Sequence, residues 1–206
     1  MTDTRDRPQV ILVTPPELEL GPFPGRLAAC LDAAPVACLR LALATSDENR
    51  VARAADALRE VAHARDVPVV VEGHPDLVAR LGLDGVHLTD GARSVRTLRK
   101  ALGPDAIVGA FCGTSRHDGM SAGEDGADYV SFGPVGGPAG GEGAAGPGLF
   151  AWWSEMIEMP VVAEGRLDEG LVRALAPVAD FFAFGPEVWE AGDPAAALRA
   201  LHAATG

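Results

Sequence analysis

The chain has 206 residues and a formal net charge of −12, with Lys100 as its sole lysine. That length suits one domain with a full core, and with no block of basic residues a nucleic-acid partner or an anionic membrane surface is not expected. Cys30, Cys38 and Cys112 form no CxxC pair, and no stretch reads as a signal peptide or an 18-residue apolar span, so disulfides, structural zinc and a membrane helix are not indicated and the expected compartment is the cytoplasm.

Short β-branched runs alternate with Ala/Leu/Arg stretches at helical spacing. Residues 1–8 read as a disordered start. Val10 to Thr14 is the first strand. A loop holding Pro15, Pro16, Pro22 and Pro24 leads to a helix near Arg26 to Ala33. Val36 to Leu43 is the second strand, followed by a helix over about 47–64 with Ser46 as expected N-cap. Val67 to Val71, Gly85 to Leu88 and Ala106 to Phe111 are the next strands. Their helices fall near 75–81, 94–102 and 115–124. Tyr129 to Phe132 is the sixth strand. A Gly/Pro/Ala-rich loop over 133–148 follows, either a lid over a site or a surface loop, and then a helix near 150–157. Val161 to Ala163 and Phe181 to Phe184 are the last strands, with a helix over 169–175 between them. The final helix starts at Pro194 behind Asp193, an N-cap followed by a first-turn proline.

Eight strictly alternating βα units call for a parallel sheet. In about 200 residues they predict a closed (β/α)8 barrel over 9–206 rather than an open doubly wound sheet. No strand is followed by GxGxxG, so a dinucleotide is not indicated.

In such barrels the active site lies where the strands end, and phosphate often binds after strands seven and eight. Arg40 lies in an apolar strand, where an unpaired guanidinium is very costly. It therefore needs a carboxylate such as Glu72, a ligand, or both. His87 lies within the fourth strand, as a satisfied core group or as a base. His74 and His117 fall in rim loops. Gly165 and Gly185 suit the approach of backbone amides to an anion, with Arg166 adding charge. Glu164 opposes an anion there unless a cation intervenes. Glu72, Asp90, Glu164 and Glu187 are oxygen donors of the kind that suits Mg²⁺.

Taken in order, ILVT at 11–14, CLR at 38–40, DGVHL at 84–88, GADYVSFGPV at 126–135 and PVVAEG at 160–165 resemble the thiamine phosphate synthase family and its thiazole tautomerase branch. The resemblance implies a (β/α)8 barrel that joins a pyrimidine diphosphate to a thiazole phosphate with Mg²⁺. Arg40 matches the family's second-strand arginine. Several other positions depart from the pattern. Ala42 replaces a lysine, Glu72 and Gly73 replace an Asn-Asp pair, and Thr89, Asp90 and Ala92 replace a Gly-Gln and a metal-binding Asp. The stretch 136–141 lacks the family's Thr and Lys, Arg166 follows Gly165 where a second glycine is usual, and Pro134 stands where the tautomerases carry histidine.

These readings give Arg40, Glu72 and His117 as catalytic candidates. Arg40, His74, His87, Gly133, Gly165, Arg166 and Gly185 are candidates for a small phosphorylated or heterocyclic ligand, and Glu72 and Asp90 for Mg²⁺. A homodimer is a candidate assembly. Three functions stand open. The first is a synthase-type transferase whose activity is weak or absent unless Glu72 and Asp90 rebuild a metal site. The second is a non-catalytic or regulatory ligand-binding paralogue. The third is a different barrel enzyme using the acidic rim with His74 or His117.

Overall fold

The computed structural model describes residues 7–136 and 143–206. In these, β1 (Gln9–Val13), β2 (Cys38–Leu41), β3 (Val69–Glu72), β4 (Gly85–Leu88), β5 (Ile107–Phe111), β6 (Tyr129–Phe132), β7 (Val161–Glu164) and β8 (Phe181–Phe184) close into a barrel in chain order. Every neighbouring pair is parallel, and β8 returns to β1 with Ile11 opposite Ala183. Eight strands, each followed by a helix, can bury both faces only by closing on themselves.

The surrounding helices are α1 (Phe23–Ala33), α2 (Glu48–His63), α3 (Asp76–Leu81), α4 (Val95–Leu102), α5 (Arg116–Glu124), α6 (Pro147–Met156), α7 (Glu169–Leu175), α8 (Pro186–Trp189) and α9 (Pro194–Ala203). The cap of α2 differs from the sequence expectation. Asp47, not Ser46, accepts from the Asn49 and Arg50 amides. A carboxylate there satisfies two of the helix's open N–H groups and complements its dipole. Asp193 caps α9 as expected, accepting from Ala196. The single-turn helix α8 was not read from the sequence, because four residues carry no periodicity.

Two apolar bodies result. The larger lies between sheet and helices, with Leu12, Leu39, Val71, Phe132, Trp153 and Phe184 fully buried. The smaller fills the barrel interior with Ile11, Cys38, Val70, Tyr129, Val162 and Ala183. Alternation along each strand produces the split, since successive side chains face opposite sides.

At the opposite end from the rim, three aspartates pin the strands. Asp84 accepts from the Val69 amide, Asp128 from Val108 and Asp180 from Val161. Each stands just before an even-numbered strand and ties down the odd-numbered strand before it. The amides of Val69, Val108 and Val161, on fully buried residues, would otherwise lack a partner. Among the described residues no helix is long and apolar enough to cross a membrane.

Arg7 already contacts the barrel, donating to the Thr205 hydroxyl at 2.8 Å. Residues 1–6 of the expected disordered start lie outside the described residues, as do 137–142 of the 133–148 loop. Of the described loop residues, Gly133, Val135, Gly136 and Ala145 are buried and the others are exposed. Ala145 is buried and its amide donates to Pro134.

Candidate active site

Strand parity decides what enters the barrel. Cys38 and Arg40 face inward from β2, Val70 and Glu72 from β3, His87 from β4, Tyr129 and Ser131 from β6, and Val162 and Glu164 from β7. Their polar members form one network. Arg40, 7% exposed, donates from Nη1 to Glu164 Oε2 at 2.7 Å and to His87 Nε2 at 2.8 Å. Glu72 Oε2 stands 3.9 Å from Arg40 Nε, an ionic contact rather than a hydrogen bond. His87 Nδ1 lies 2.9 Å from the Tyr129 hydroxyl.

The protons follow from the donors. A guanidinium only donates, so His87 Nε2 accepts, and the imidazole proton sits on Nδ1, facing Tyr129. Burial, aided by the Arg40 charge, holds His87 well below its ordinary pKa and therefore neutral. Burial pushes the Tyr129 hydroxyl up and keeps it protonated. Burial opposes the charge on Arg40, but the carboxylates of Glu164 and Glu72 outweigh it and hold the guanidinium above its usual value. Glu72 is raised, chiefly by burial and further by Glu164, against the pull of Arg40.

Glycine makes room for this network. A Cβ on Gly109 would lie 2.0 Å from Tyr129 Cζ, so the tyrosine ring occupies the space that a side chain on β5 would fill. Among the described residues three buried side-chain polar atoms have no hydrogen-bond partner within the protein, and two of them, Arg40 Nε and Ser131 Oγ, belong to the inward-facing residues of the barrel. Such atoms call for a ligand or water.

The sequence-derived candidates fall into three places. Arg40, Glu72 and His87 meet inside the barrel. Asp90 and His117 line a separate cleft of about 640 Å³ with Arg93, Cys112 and Asp118. There Asp90 accepts from Ser94 at 2.6 Å. Gly133, Gly165, Arg166 and Gly185 lie where β6, β7 and β8 end. His74 is half-buried in the turn before α3.

The chief partner of Arg40 is Glu164 rather than the neighbouring-strand Glu72. By sequence Glu164 stands as an obstacle to anions and as a possible Mg²⁺ donor, not as the partner of Arg40. Its inward parity with Val162 was the available signal, and barrel closure brings it to Arg40. Among the described residues no three histidine, cysteine or acidic side chains are grouped to hold a metal ion. Glu72 faces Arg40 and Asp90 faces Ser94, so the pair does not make a metal cage of the chain's own side chains.

The family model described as "Thiamine monophosphate synthase" matches residues 10–186. A "Thiamine-phosphate synthase" of Rhodospirillum centenum is 42% identical over 207 residues, covering 96% of both chains. Another, from Hyphomonas neptunium, is 38% identical over 215 residues, covering 98% of this chain and 97% of the relative. Among solved structures, thiamine phosphate pyrophosphorylase from Pyrococcus furiosus superposes with a TM-score of 0.83 at 20% identity, covering 96% of this chain and 95% of that one. At that identity the likeness speaks for the barrel alone.

Proposed function

The chain belongs to the thiamine monophosphate synthase family, and on that premise we propose that it acts in thiamine biosynthesis, binding a pyrimidine diphosphate at the mouth over Arg40 for coupling to a thiazole. The observation that carries the reading is the buried Arg40 Nε, which has no acceptor within the protein and is the family's second-strand arginine. A ligand oxygen there completes the guanidinium's hydrogen bonds without disturbing its bonds to Glu164 and His87. Those two partners fix the plane of the group, so the Nε–H direction is set before the ligand arrives.

Departure of a diphosphate requires that its developing negative charge be neutralised. Here one guanidinium faces two carboxylates, Glu72 and Glu164, and the lysine position after it is Ala42. We infer that turnover is weak, each tenfold loss corresponding to about 1.4 kcal/mol of transition-state stabilisation. Among the described residues no three acidic, histidine or cysteine side chains gather around one point, so Glu72 or Asp90 would hold Mg²⁺ only with the diphosphate and water as its other ligands. A steady-state assay with pyrimidine diphosphate, thiazole phosphate and Mg²⁺ tests both parts. Slow but saturable product formation, abolished by Arg40→Ala, is the expected result. Turnover at the level of the family's ordinary members refutes the weak-activity inference. Turnover unaffected by Arg40→Ala refutes the assignment of Arg40.

The same excess of acid at Arg40 favours, as a second reading, a paralogue that binds such a ligand without turning it over. Stabilisation by ligand in a thermal-shift experiment, with no product formed, is its signature.

A further inference from the structure

His87, Gly109 and Tyr129 are register partners on three adjacent strands, β4, β5 and β6. With glycine in the middle place, the Tyr129 ring lies over β5 and nearly parallel to the imidazole, with 5.7 Å between centroids and 19° between planes. Its hydroxyl ends 2.9 Å from His87 Nδ1. At the other side of the imidazole, Nε2 meets Arg40 Nη1 at 2.8 Å, and the same Nη1 reaches Glu164 Oε2 at 2.7 Å. Both hydrogens of Nη1 are thereby assigned. The row from Tyr129 through His87 thus ends on the guanidinium whose Nε–H is buried and left open.

Only one arrangement of protons satisfies the whole row. A neutral imidazole carries a single N–H, and the nitrogen that holds it is set by the bond the other nitrogen makes. With the proton on Nδ1, the Tyr129 oxygen accepts it and Nε2 is free to accept from Arg40. With the proton on Nε2, two N–H groups point at each other, and Arg40 must turn away while keeping Glu164. Without the tyrosine hydroxyl, an Nδ1–H would be buried with no acceptor, which is costlier than an unmet lone pair. The imidazole then escapes by carrying its proton on Nε2, at the expense of Arg40.

We propose that Tyr129 and His87 are positioning residues for ligand binding: the tyrosine hydroxyl fixes the His87 tautomer, and the tautomer fixes the direction in which Arg40 presents its Nε–H. Both act through Arg40. His87 is then neither an idle core group nor a base. That Arg40 meets a diphosphate rests on the functional reading above, whereas the coupling of the three side chains does not.

Two measurements test this. Nitrogen-15 spectra of histidine-labelled protein report the tautomer, with the His87 signals identified by their loss in His87→Gln. Inorganic pyrophosphate, titrated calorimetrically, reports the presentation of Arg40. The wild type should show Nδ1–H, and Tyr129→Phe, which keeps the ring, should show Nε2–H. Tyr129→Phe should also bind pyrophosphate about tenfold more weakly, as expected when one bond to a charged group is misdirected. In His87→Gln the amide oxygen can accept from Arg40 and has no tautomer to lose. Adding Tyr129→Phe to that background should therefore change the affinity by less than about twofold. Persistence of Nδ1–H in Tyr129→Phe, or unchanged pyrophosphate affinity there, overturns the proposal. An equal loss in the His87→Gln background also overturns it, since Tyr129 would then act by packing alone. An Nε2–H signal in the wild type overturns it even where Tyr129→Phe does not fold. Absence of pyrophosphate binding by the wild type counts against the functional reading alone, and the tautomer spectra then decide the coupling by themselves.

Discussion

Arg40 on β2 and Glu164 on β7 are 124 residues apart in sequence, yet they meet inside the barrel with Nη1 and Oε2 2.7 Å apart. Both are largely withdrawn from water, with side chains 8% and 15% exposed. Removing one partner of such a pair leaves the other charged and unpaired. Glu164→Ala is expected to destabilise the protein by about 3–5 kcal/mol. The double variant Arg40→Met, Glu164→Leu should lose less than that single one, because apolar packing replaces both charges. Denaturant unfolding of the single and double variants checks this. Losses that simply add would show that the two residues do not act as a pair.

His87 and Glu72 pull the acid stability of the protein in opposite directions. His87 is held neutral by burial and by Arg40, its pKa well below 6.5. Below pH 6.5 the unfolded chain takes up a proton that the folded chain refuses. Stability therefore falls as pH drops, by at most about 1.4 kcal/mol per pH unit for one group. Glu72 is raised above 4.5, mainly by burial. The folded chain keeps a proton that the unfolded chain has released, a contribution present below 4.5 and lost as pH rises through the folded value. Glu72→Gln should therefore steepen the loss on acidification, and His87→Gln should flatten it. Unfolding free energies measured from pH 7 down to 4 give the two slopes, and parallel curves for all three proteins would contradict the assignment.

The barrel interior admits Tyr129 only because β5 carries glycine opposite it. Gly109→Ala would place its Cβ 2.0 Å from the ring. Overpacking of this kind costs about 1–3 kcal/mol, and the bond from Tyr129 to His87 should be lost with it. Tyr129 is the sole tyrosine, so its ultraviolet titration reads the site directly. In the wild type the phenol should resist ionisation until the protein unfolds. In Gly109→Ala it should ionise at lower pH.

None of the three thiols should react rapidly in the native protein. Burial raises Cys30 to about 11, and Cys38 and Cys112 to about 12, and all three are nearly inaccessible. The thiolate is the reacting species, so its population at pH 8 is very small. A chromogenic thiol titration should count close to none before denaturation and three after it. A fast native phase would identify an opening of the barrel wall, with Cys112 in the cleft beside Asp90 and His117 the first residue to test.

The sequence alone determined the barrel. Its eight apolar runs, spaced by helical stretches, leave little choice, because a fully buried parallel strand must be apolar on both faces and each crossover needs a helix. Gly85–Leu88, Tyr129–Phe132, Glu169–Leu175 and Phe181–Phe184 were legible to the residue. The cost of burying Arg40 likewise told that it must be paired. Which carboxylate would pair with it was not legible, because Glu164 comes near only when β7 and β2 lie on the walls of one closed cylinder. The same closure moved Asp90 and His117 into a cleft apart from Arg40. It also brought Glu187 onto the amide of Leu167, 20 positions earlier. Local pattern sets which face of a strand or helix is apolar. Partners across the barrel are set by register and closure, and these exist only once all eight strands are in place.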